Sequence, residues 1–326
     1  MTKNNSKLRL LKLYELLKCY SDENNVLTTT QLIDLLQEKE NITTDRRTLY
    51  NDIDILIENG YDIMKIKSNP NAYYVAGHDF ENAEIKCLMD LVESSQMLTR
   101  EISEKLKKKL SALTSKYFAN ELTSSIIENK KKTKNKKVLY YVDTINNCIL
   151  EEKEIEFLYY KYDYNLNKYY KNNKNLYNAL PLSICIEDGK YYLSAIHNNI
   201  IKNFRIDKMD NLNISKNPEE YQNSIKHKDL SKIKNHSFYM YTGKECLLEL
   251  EVLDKDVCDI LIDRFDNAIK FIRKQEKIIA QINIMISPIL FAWLTCLGDK
   301  IKLISPKSEI ENFKTFLNKA SLNYIE

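Results

Sequence analysis

The chain has 326 residues, and at roughly 100–200 residues per domain this length predicts two or three domains. Charged residues make up 29% and hydrophobic residues 44%, which excludes a globally disordered chain and a fibrous protein. Lysine and arginine total 49 against 46 aspartate and glutamate, so the net charge of +3 does not by itself indicate nucleic-acid binding. None of the five glycines are spaced as G-x-G, which excludes a Rossmann fingerprint and a Walker loop.

The spacing of the cysteines and histidines gives no support for a metal or redox centre. The seven cysteines contain no C-x-x-C pair, and the four histidines form no H-E-x-x-H motif. An odd cysteine count without a signal-peptide pattern fits reduced thiols in the cytoplasm. The longest apolar run, 289–297, is about half of the ~20 residues needed to cross a bilayer. We therefore expect a cytoplasmic protein without a membrane span, cofactor, metal or catalytic residues.

Three helical patterns and a hairpin pattern occupy the first 77 residues. Leucines at helical spacing run through the first two helices. The third helix is expected to begin at Thr44 or Asp45 and to end at Gly60, which readily adopts the left-handed conformation. Alternating strands then flank a turn at residues 68–71. This order predicts a winged helix-turn-helix domain over residues 1–77.

The amino-terminal half of the third helix carries side chains suited to reading DNA. Arginine presents a fork of donors that matches guanine, and asparagine can pair with adenine. Lysines in the hairpin would meet the phosphate backbone or the minor groove. An ordinary solvated helix face is the alternative. The predicted DNA-binding residues are Arg46, Arg47, Thr48, Tyr50, Asn51, Lys65 and Lys67.

Residues 78–137 are predicted to be a helical linker. Two helical patterns occupy residues 79–117, with Thr99 as a candidate helix cap. The run KKKTKNKK at 130–137 holds six lysines in eight residues. Such a run is typical of a solvated linker, although it could also contact phosphates.

Residues 138–220 begin with a helix and continue as short strands, which predicts a small β-barrel or curled sheet. The strands are rich in tyrosines interleaved with lysines. Aromatic faces beside cations bind single-stranded nucleic acid through stacking of about 1–3 kcal/mol per base, and a tyrosine-rich core is the alternative. Strand alternation sends Tyr191 and Tyr192 to opposite faces. For Arg205, a ligand contact and a structural ion pair with Asp207 or another acid are equally open.

Residues 221–326 show the order βαββαβα, which predicts a compact α+β sandwich. Trp293 lies in an apolar helix and is expected in the core. Asp259 and Asp263 are four residues apart on a helix, where neighbouring basic residues favour a charge-balanced surface over a metal site. The fold class predicted for the whole chain is multidomain α+β.

Two parts of the chain carry motif-like stretches, RRTLYNDIDILIENGYDI with AYYV and GKYYLSAI with NFRIDKMDNLNISKNP. The first resembles the winged helix, and the second the motif region of the WYL domain, of bacterial transcriptional regulators that carry a WYL domain. Tyr191, Tyr192 and Leu193 stand where the family name reads Trp-Tyr-Leu. VCDILIDRF and SPILFAWLTCLGDKIKLISP resemble the family's carboxy-terminal extension. These stretches span nearly the whole chain in the expected order.

The resemblance implies a homodimeric regulator whose SH3/Sm-like WYL barrel senses an effector while its winged helix binds operator DNA. In the family, the arginine of an F-R-x-D-R-like motif lines a basic, aromatic-edged groove for an anionic ligand, which is nucleic acid in some members. That arginine corresponds to Arg205, and the second basic position is Lys208 here. The predicted effector-binding residues are Tyr159, Tyr191, Tyr192, Arg205 and Lys208.

The leading hypothesis is therefore a sequence-specific DNA-binding transcriptional regulator controlled by an anionic effector, for which a nucleotide and a nucleic acid are candidates. One alternative is a nucleic-acid-binding accessory factor or nuclease-type enzyme that works through the Tyr/Lys-rich barrel. Another is a protein-interaction adaptor that uses the winged helix for a protein partner. Metal-dependent cleavage of nucleic acid and salt-sensitive DNA binding distinguish the three.

Overall fold

The computed structural model describes residues 3–77, 79–126, 131–216, 238, 240–241 and 243–324. The chain divides into two compact units, residues 1–136 and 137–326. Helices and several sheets are present in the chain, so the predicted α+β class is confirmed at this level. None of the described helices is long and apolar enough to cross a membrane. The predicted boundary at 220/221 lies outside the described residues.

The first unit combines helices with a small antiparallel sheet in the order β1-β3-β2. Its helices are α1 (Lys3–Tyr20), α2 (Thr29–Glu40), α3 (Arg46–Glu58), α4 (Asn82–Ser94), α5 (Arg100–Ser111) and α6 (Lys116–Ser125). Its strands are β1 (Leu27–Thr28), β2 (Ile63–Ile66) and β3 (Ala72–Val75).

The first three helices and the sheet enclose one leucine-rich core. Asp45 caps α3, and Gly60 has φ of +86° after its end, as the sequence predicts. The predicted hairpin is β2 paired with β3. The pairing of β1 with β3 was not predicted, because two residues are too few to show strand alternation.

The helices after residue 79 pack around a second, smaller core that includes Ile85, Met89 and Leu122. Thr99 caps α5 as predicted, since its side chain accepts a hydrogen bond from the amide of Ile102 at 3.2 Å. The sequence predicts two helices up to residue 117, whereas the structure has a third, α6, which is capped by Ser115 and reaches residue 125.

The solvated-linker prediction for residues 130–137 is wrong at Lys132. Its Nζ donates to the carbonyls of Val92 at 3.0 Å and Glu93 at 2.6 Å, and to Ser103 Oγ at 3.0 Å. The Lys132 side chain is only 8% exposed. The last carbonyls of a helix lack intrahelical partners, so a buried ammonium there satisfies the end of α4. Lys132 is therefore a structural residue of the first unit.

The first part of the second unit is one helix and a curled half-barrel sheet. The helix is α7 (Val138–Leu150). The strands are β4 (Ile155–Tyr162), β5 (Lys168–Tyr170), β6 (Tyr177–Glu187), β7 (Lys190–His197), β8 (Ile200–Arg205) and β9 (Met209–Ile214). They run in the order β5-β4-β6-β7-β8, and β9 pairs with β4. Apolar residues from α7 and the strands form the core of this part.

The described residues from 245 onward follow the predicted order βαββαβα around a core of their own. The elements are β10 (Glu245–Val252), α8 (Val257–Phe265), β11 (Ile269–Lys274), β12 (Lys277–Met285), α9 (Pro288–Cys296), β13 (Ile301–Ser305) and α10 (Lys307–Leu322). The strands form one sheet in the order β11-β12-β10-β13. Trp293 packs against this core but is half-buried at its edge.

Candidate nucleic-acid interface and ligand site

The helix α3 has one buried and one exposed face. Leu49, Ile53 and Leu56 point into the core of the first unit. Arg46 and Arg47 lie exposed in the first turn. Asn51 is exposed one turn later. The α3 face formed by Arg46, Arg47 and Asn51 therefore presents two cations and one amide to solvent.

Thr48 belongs to the cap of this helix. Its amide and hydroxyl donate to the two carboxylate oxygens of Asp45, both at 2.9 Å. These hydrogen bonds, led by that of the Thr48 amide, lower the pKa of Asp45. The cap fixes the first turn of α3, and hence the backbone that carries Arg46 and Arg47.

The hairpin strand β2 lies beside α3. Lys65 Nζ is 5.8 Å from the centre of the Tyr50 ring and 5.9 Å from that of Tyr73. Tyr50 is half-buried against the core, whereas Lys65 and Lys67 are exposed. The structure thus brings Tyr50 and Lys65 together, with Lys67 just beyond the strand end.

A second candidate site lies on the half-barrel. Tyr192 of β7 pairs with Cys185 of β6 on one side and with Arg205 of β8 on the other. Strand partners that stand opposite each other share a face, so these three side chains form a row, which we call the Tyr192 row. Tyr191 packs against the core on the opposite face, together with Leu193. The predicted split of the two tyrosines between faces is therefore observed.

Arg205 is fixed by its neighbour Asp207. Its Nε donates to Oδ1 at 3.0 Å and its Nη2 to Oδ2 at 2.8 Å. Burial lowers the pKa of Arg205, but the hydrogen bonds and charge of Asp207 outweigh it and raise the pKa. The ion pair left open by the sequence is thus formed. A guanidinium has five donors, so the pair with Asp207 orients the group and leaves capacity for a ligand.

Tyr159 lies behind the row. Its hydroxyl accepts a hydrogen bond from the Arg205 amide at 3.3 Å. Burial raises the pKa of Tyr159 to about 12. Burial also raises the pKa of Tyr192, although the charge of Arg205 acts in the opposite direction. Both phenols are therefore neutral hydrogen-bonding groups at physiological pH.

Lys208 lies among aromatic rings. Its Nζ is 4.0 Å from the centre of the Tyr162 ring and 5.3 Å from that of Tyr160. Lys168 Nζ approaches Tyr160 to 3.9 Å and pairs with Asp210 at 3.0 Å. Burial lowers the pKa of Lys208. We call these four residues, Tyr160, Tyr162, Lys168 and Lys208, the Tyr–Lys cluster.

Comparison with protein families identifies this part of the chain. Residues 140–214, which run from α7 to the end of β9, match the family model of the WYL domain. The chain contains a WYL domain. The Tyr192 row and the Tyr–Lys cluster both lie within the matched residues.

Two solved structures similar to the chain are proteasome accessory factor B/C of Arthrobacter aurescens and a CRISPR Cas-related protein. The first is 15% identical with a TM-score of 0.29 over 98% of this chain and 49% of the other. The second is 12% identical with a TM-score of 0.37 over 98% of this chain and 92% of the other. The chain spans about half the length of the Arthrobacter protein. No curated protein matches the chain.

The structure brings several of the predicted effector residues of the WYL domain together. Tyr159, Tyr192 and Arg205 come together, whereas Tyr191 faces the core and Lys208 lies in the Tyr–Lys cluster. Sequence reasoning missed Lys168 as a partner of Tyr160, because the hairpin of β4 and β5 sets that contact. Among the residues the structure describes, no three histidine, cysteine or acidic side chains are grouped as they would be around a metal ion.

Proposed function

We propose that the protein is a transcriptional regulator that binds double-stranded DNA through α3 and is controlled by an anionic ligand on its WYL domain. The observation that carries the proposal is the exposed α3 face. Arginine and asparagine side chains at the start of a helix match the hydrogen-bonding edges of bases in the major groove. The exposed Lys65 and Lys67 beside this helix suit phosphate contacts.

The Tyr192 row supports the ligand part of the proposal. Arg205 is held in a fixed orientation by Asp207, so it loses little freedom when it binds an anion. The neutral ring of Tyr192 stands directly opposite it across the strand pair. A cation beside an aromatic face suits a phosphate attached to a planar group, as in a nucleotide.

The regulator is proposed to act as a homodimer. Helix-turn-helix proteins read two half-sites about one helical turn of DNA apart, which requires two copies of the reading helix. A ligand that prefers one arrangement of the dimer would change the spacing of the two α3 helices and thereby the affinity for DNA.

The Tyr–Lys cluster favours a second candidate function, that of an accessory factor or nuclease acting on single strands. Two lysines lie against two tyrosine rings there, of which Tyr160 is buried and Tyr162 is exposed. Stacking of a base on an exposed ring such as that of Tyr162, beside cations, is how single strands are bound. In this account the α3 face would only dock the chain on nucleic acid.

Fluorescence anisotropy with a labelled duplex from upstream of the protein's own gene tests the proposal. A regulator binds this duplex in the presence of excess unrelated DNA, and its affinity falls steeply with salt. Equal, weak binding to every duplex would contradict the proposal. Cleavage of single strands in the presence of magnesium would support the second candidate instead.

A further inference from the structure

We infer that Tyr241 forms an outer wall of the WYL ligand site and that the turn to which Phe238, Met240 and Tyr241 belong links this site to the carboxy-terminal core. The inference rests on the proposed ligand-binding role of the Tyr192 row. Tyr241 lies outside the residues that match the WYL family model. It pairs with Phe238 in an isolated β-bridge, and its amide donates to the Phe238 carbonyl at 3.0 Å.

One side of this turn is bonded to the half-barrel. Asn203 of β8 donates from Nδ2 to the carbonyl of Met240 at 2.7 Å. Its Oδ1 accepts a hydrogen bond from Ser194 Oγ at 2.7 Å. Both ends of the Asn203 amide are therefore used, which fixes the side chain between β7 and the turn. The Cys185 thiol, in the Tyr192 row, contacts the Met240 sulfur at 3.7 Å.

The other side of the turn is part of the carboxy-terminal core. Phe238 is 1% exposed, and its ring lies 5.5 Å from Trp293 and 6.1 Å from Phe265. The Arg264 guanidinium lies 4.3 Å from the centre of the Phe238 ring and 3.6 Å from Glu187, at the end of β6. A displacement of the turn must therefore disturb both this core and the edge of the WYL domain.

Tyr241 directly follows Met240, which contacts Asn203 of β8 and Cys185 of the Tyr192 row, so the Tyr241 backbone lies beside the proposed ligand site. Burial has the largest effect on the pKa of Tyr192, followed by Arg205 and the nearby acidic residues. The Tyr241 phenol also acts on this pKa. The Tyr241 backbone is fixed by its hydrogen bond to Phe238, and the Tyr241 ring is half-exposed. This ring can therefore cover a planar ligand next to Tyr192. A ligand that binds against Tyr241 would displace the turn and thereby change the hydrogen bond from Asn203 to the Met240 carbonyl.

The single tryptophan of the chain reports on this link. Trp293 contacts Phe238, so selective excitation of tryptophan follows the environment of the turn. The variant Asn203→Asp keeps the acceptor for Ser194 but loses the donor to Met240. We expect acrylamide quenching of Trp293 in the ligand-free protein to rise about twofold or more in this variant, because local opening exposes the ring. Asn203→Ala gives the same result, and Asn213→Ala on exposed β9 is the control. Equal quenching in all four proteins would overturn the link.

A short fluorescein-labelled oligothymidylate is the ligand probe. In the wild-type protein we expect binding, seen as anisotropy, together with a change in Trp293 emission, whereas Asn203→Asp binds without that change. Binding with an unchanged Trp293 in the wild type would overturn the link. Absence of binding would refute a nucleic-acid ligand in the proposed function, and the quenching experiment then decides the link alone.

The role of Tyr241 as a wall of the ligand site is tested by removing its ring. Tyr241→Ala is expected to weaken oligothymidylate binding about tenfold, in line with the loss of one stacking partner. Tyr324→Ala removes a tyrosine that is 89% exposed on the same unit and serves as the control. Equal affinity of the two variants would overturn the assignment of Tyr241.

Discussion

Arg9 of α1 and Asp52 of α3 form a buried two-point ion pair. Arg9 Nε lies 2.5 Å from Asp52 Oδ2, and Nη2 lies 3.1 Å from Oδ1. The two side chains are 7% and 9% exposed. The pair fixes the rotation of α3 about its axis, with Leu49 and Ile53 inward and Asn51 outward. It therefore positions the α3 face that is proposed to read DNA.

Asp52→Ala is expected to lower the free energy of unfolding of the first unit by about 3–5 kcal/mol, because it leaves the Arg9 charge buried without a partner. Urea unfolding measures the effect. Asp54→Ala, on the exposed side of the same helix, should change the free energy of unfolding by less than about 0.5 kcal/mol. Similar values for the two variants would show that the Arg9 pair does not stabilise α3.

Lys132→Met is expected to lower the free energy of unfolding by about 1–3 kcal/mol, because the last carbonyls of α4 lose their buried donor. Hydrogen exchange should increase most at the end of α4. Lys134→Met, at an exposed position of the same run, is the matched control. Unchanged exchange in α4 after loss of Lys132 would restore the solvated-linker interpretation.

Local sequence signals predicted most of the element order but not the long-range contacts. The cap at Asp45, the turn at Gly60 and the faces of Tyr191 and Tyr192 follow from neighbouring residues, and the structure agrees with each. The burial of Lys132 could not be predicted, because a lysine run looks the same whether solvent or a helix end accepts its hydrogen bonds. Only the tertiary packing of α4 and α5 decides between them.

In the candidate site, too, local features were predictable from the sequence and long-range contacts were not. For Arg205 the sequence left a ligand contact and an ion pair with Asp207 or another acid open, and the pair with Asp207 is formed. The position of Lys208 against Tyr162 depends instead on how the strands curl. Tyr241 is about fifty residues away in sequence from Tyr192, so no spacing rule could have connected them.

Tyr159 should make stability depend on pH in the alkaline range. Its pKa is about 12 in the folded protein and about 10 in an unfolded chain. The unfolded state therefore loses its proton first, and the free energy of unfolding falls by about 1.4 kcal/mol per pH unit between pH 10 and 12. In Tyr159→Phe this part of the slope should disappear. Parallel curves for the two proteins would contradict the burial of the phenol.

Arg205→Ala is expected to weaken binding of tripolyphosphate to the WYL domain about tenfold or more, because charge-assisted hydrogen bonds contribute about 1.5–3 kcal/mol each. The affinity of Arg205→Lys for tripolyphosphate should lie between those of the wild type and Arg205→Ala, since an ammonium keeps the charge but loses the planar fork. Isothermal titration calorimetry measures both. Lys216→Ala, an exposed lysine after β9, controls for net charge. If Lys216→Ala loses as much affinity as Arg205→Ala, the anion site lies elsewhere.

Recognition of DNA by α3 is tested by the salt dependence of duplex binding in the variant Arg46→Ala with Arg47→Ala. Control variants Lys307→Ala with Lys319→Ala remove the same charge from exposed positions of α10. We expect the arginine variant to lose specific binding and its salt slope to fall by up to about 1.8, or about 0.9 for each phosphate that is no longer neutralised. Its circular dichroism should match that of the wild type, and the control should bind normally. Unchanged affinity and slope in the folded arginine variant would contradict DNA recognition by α3.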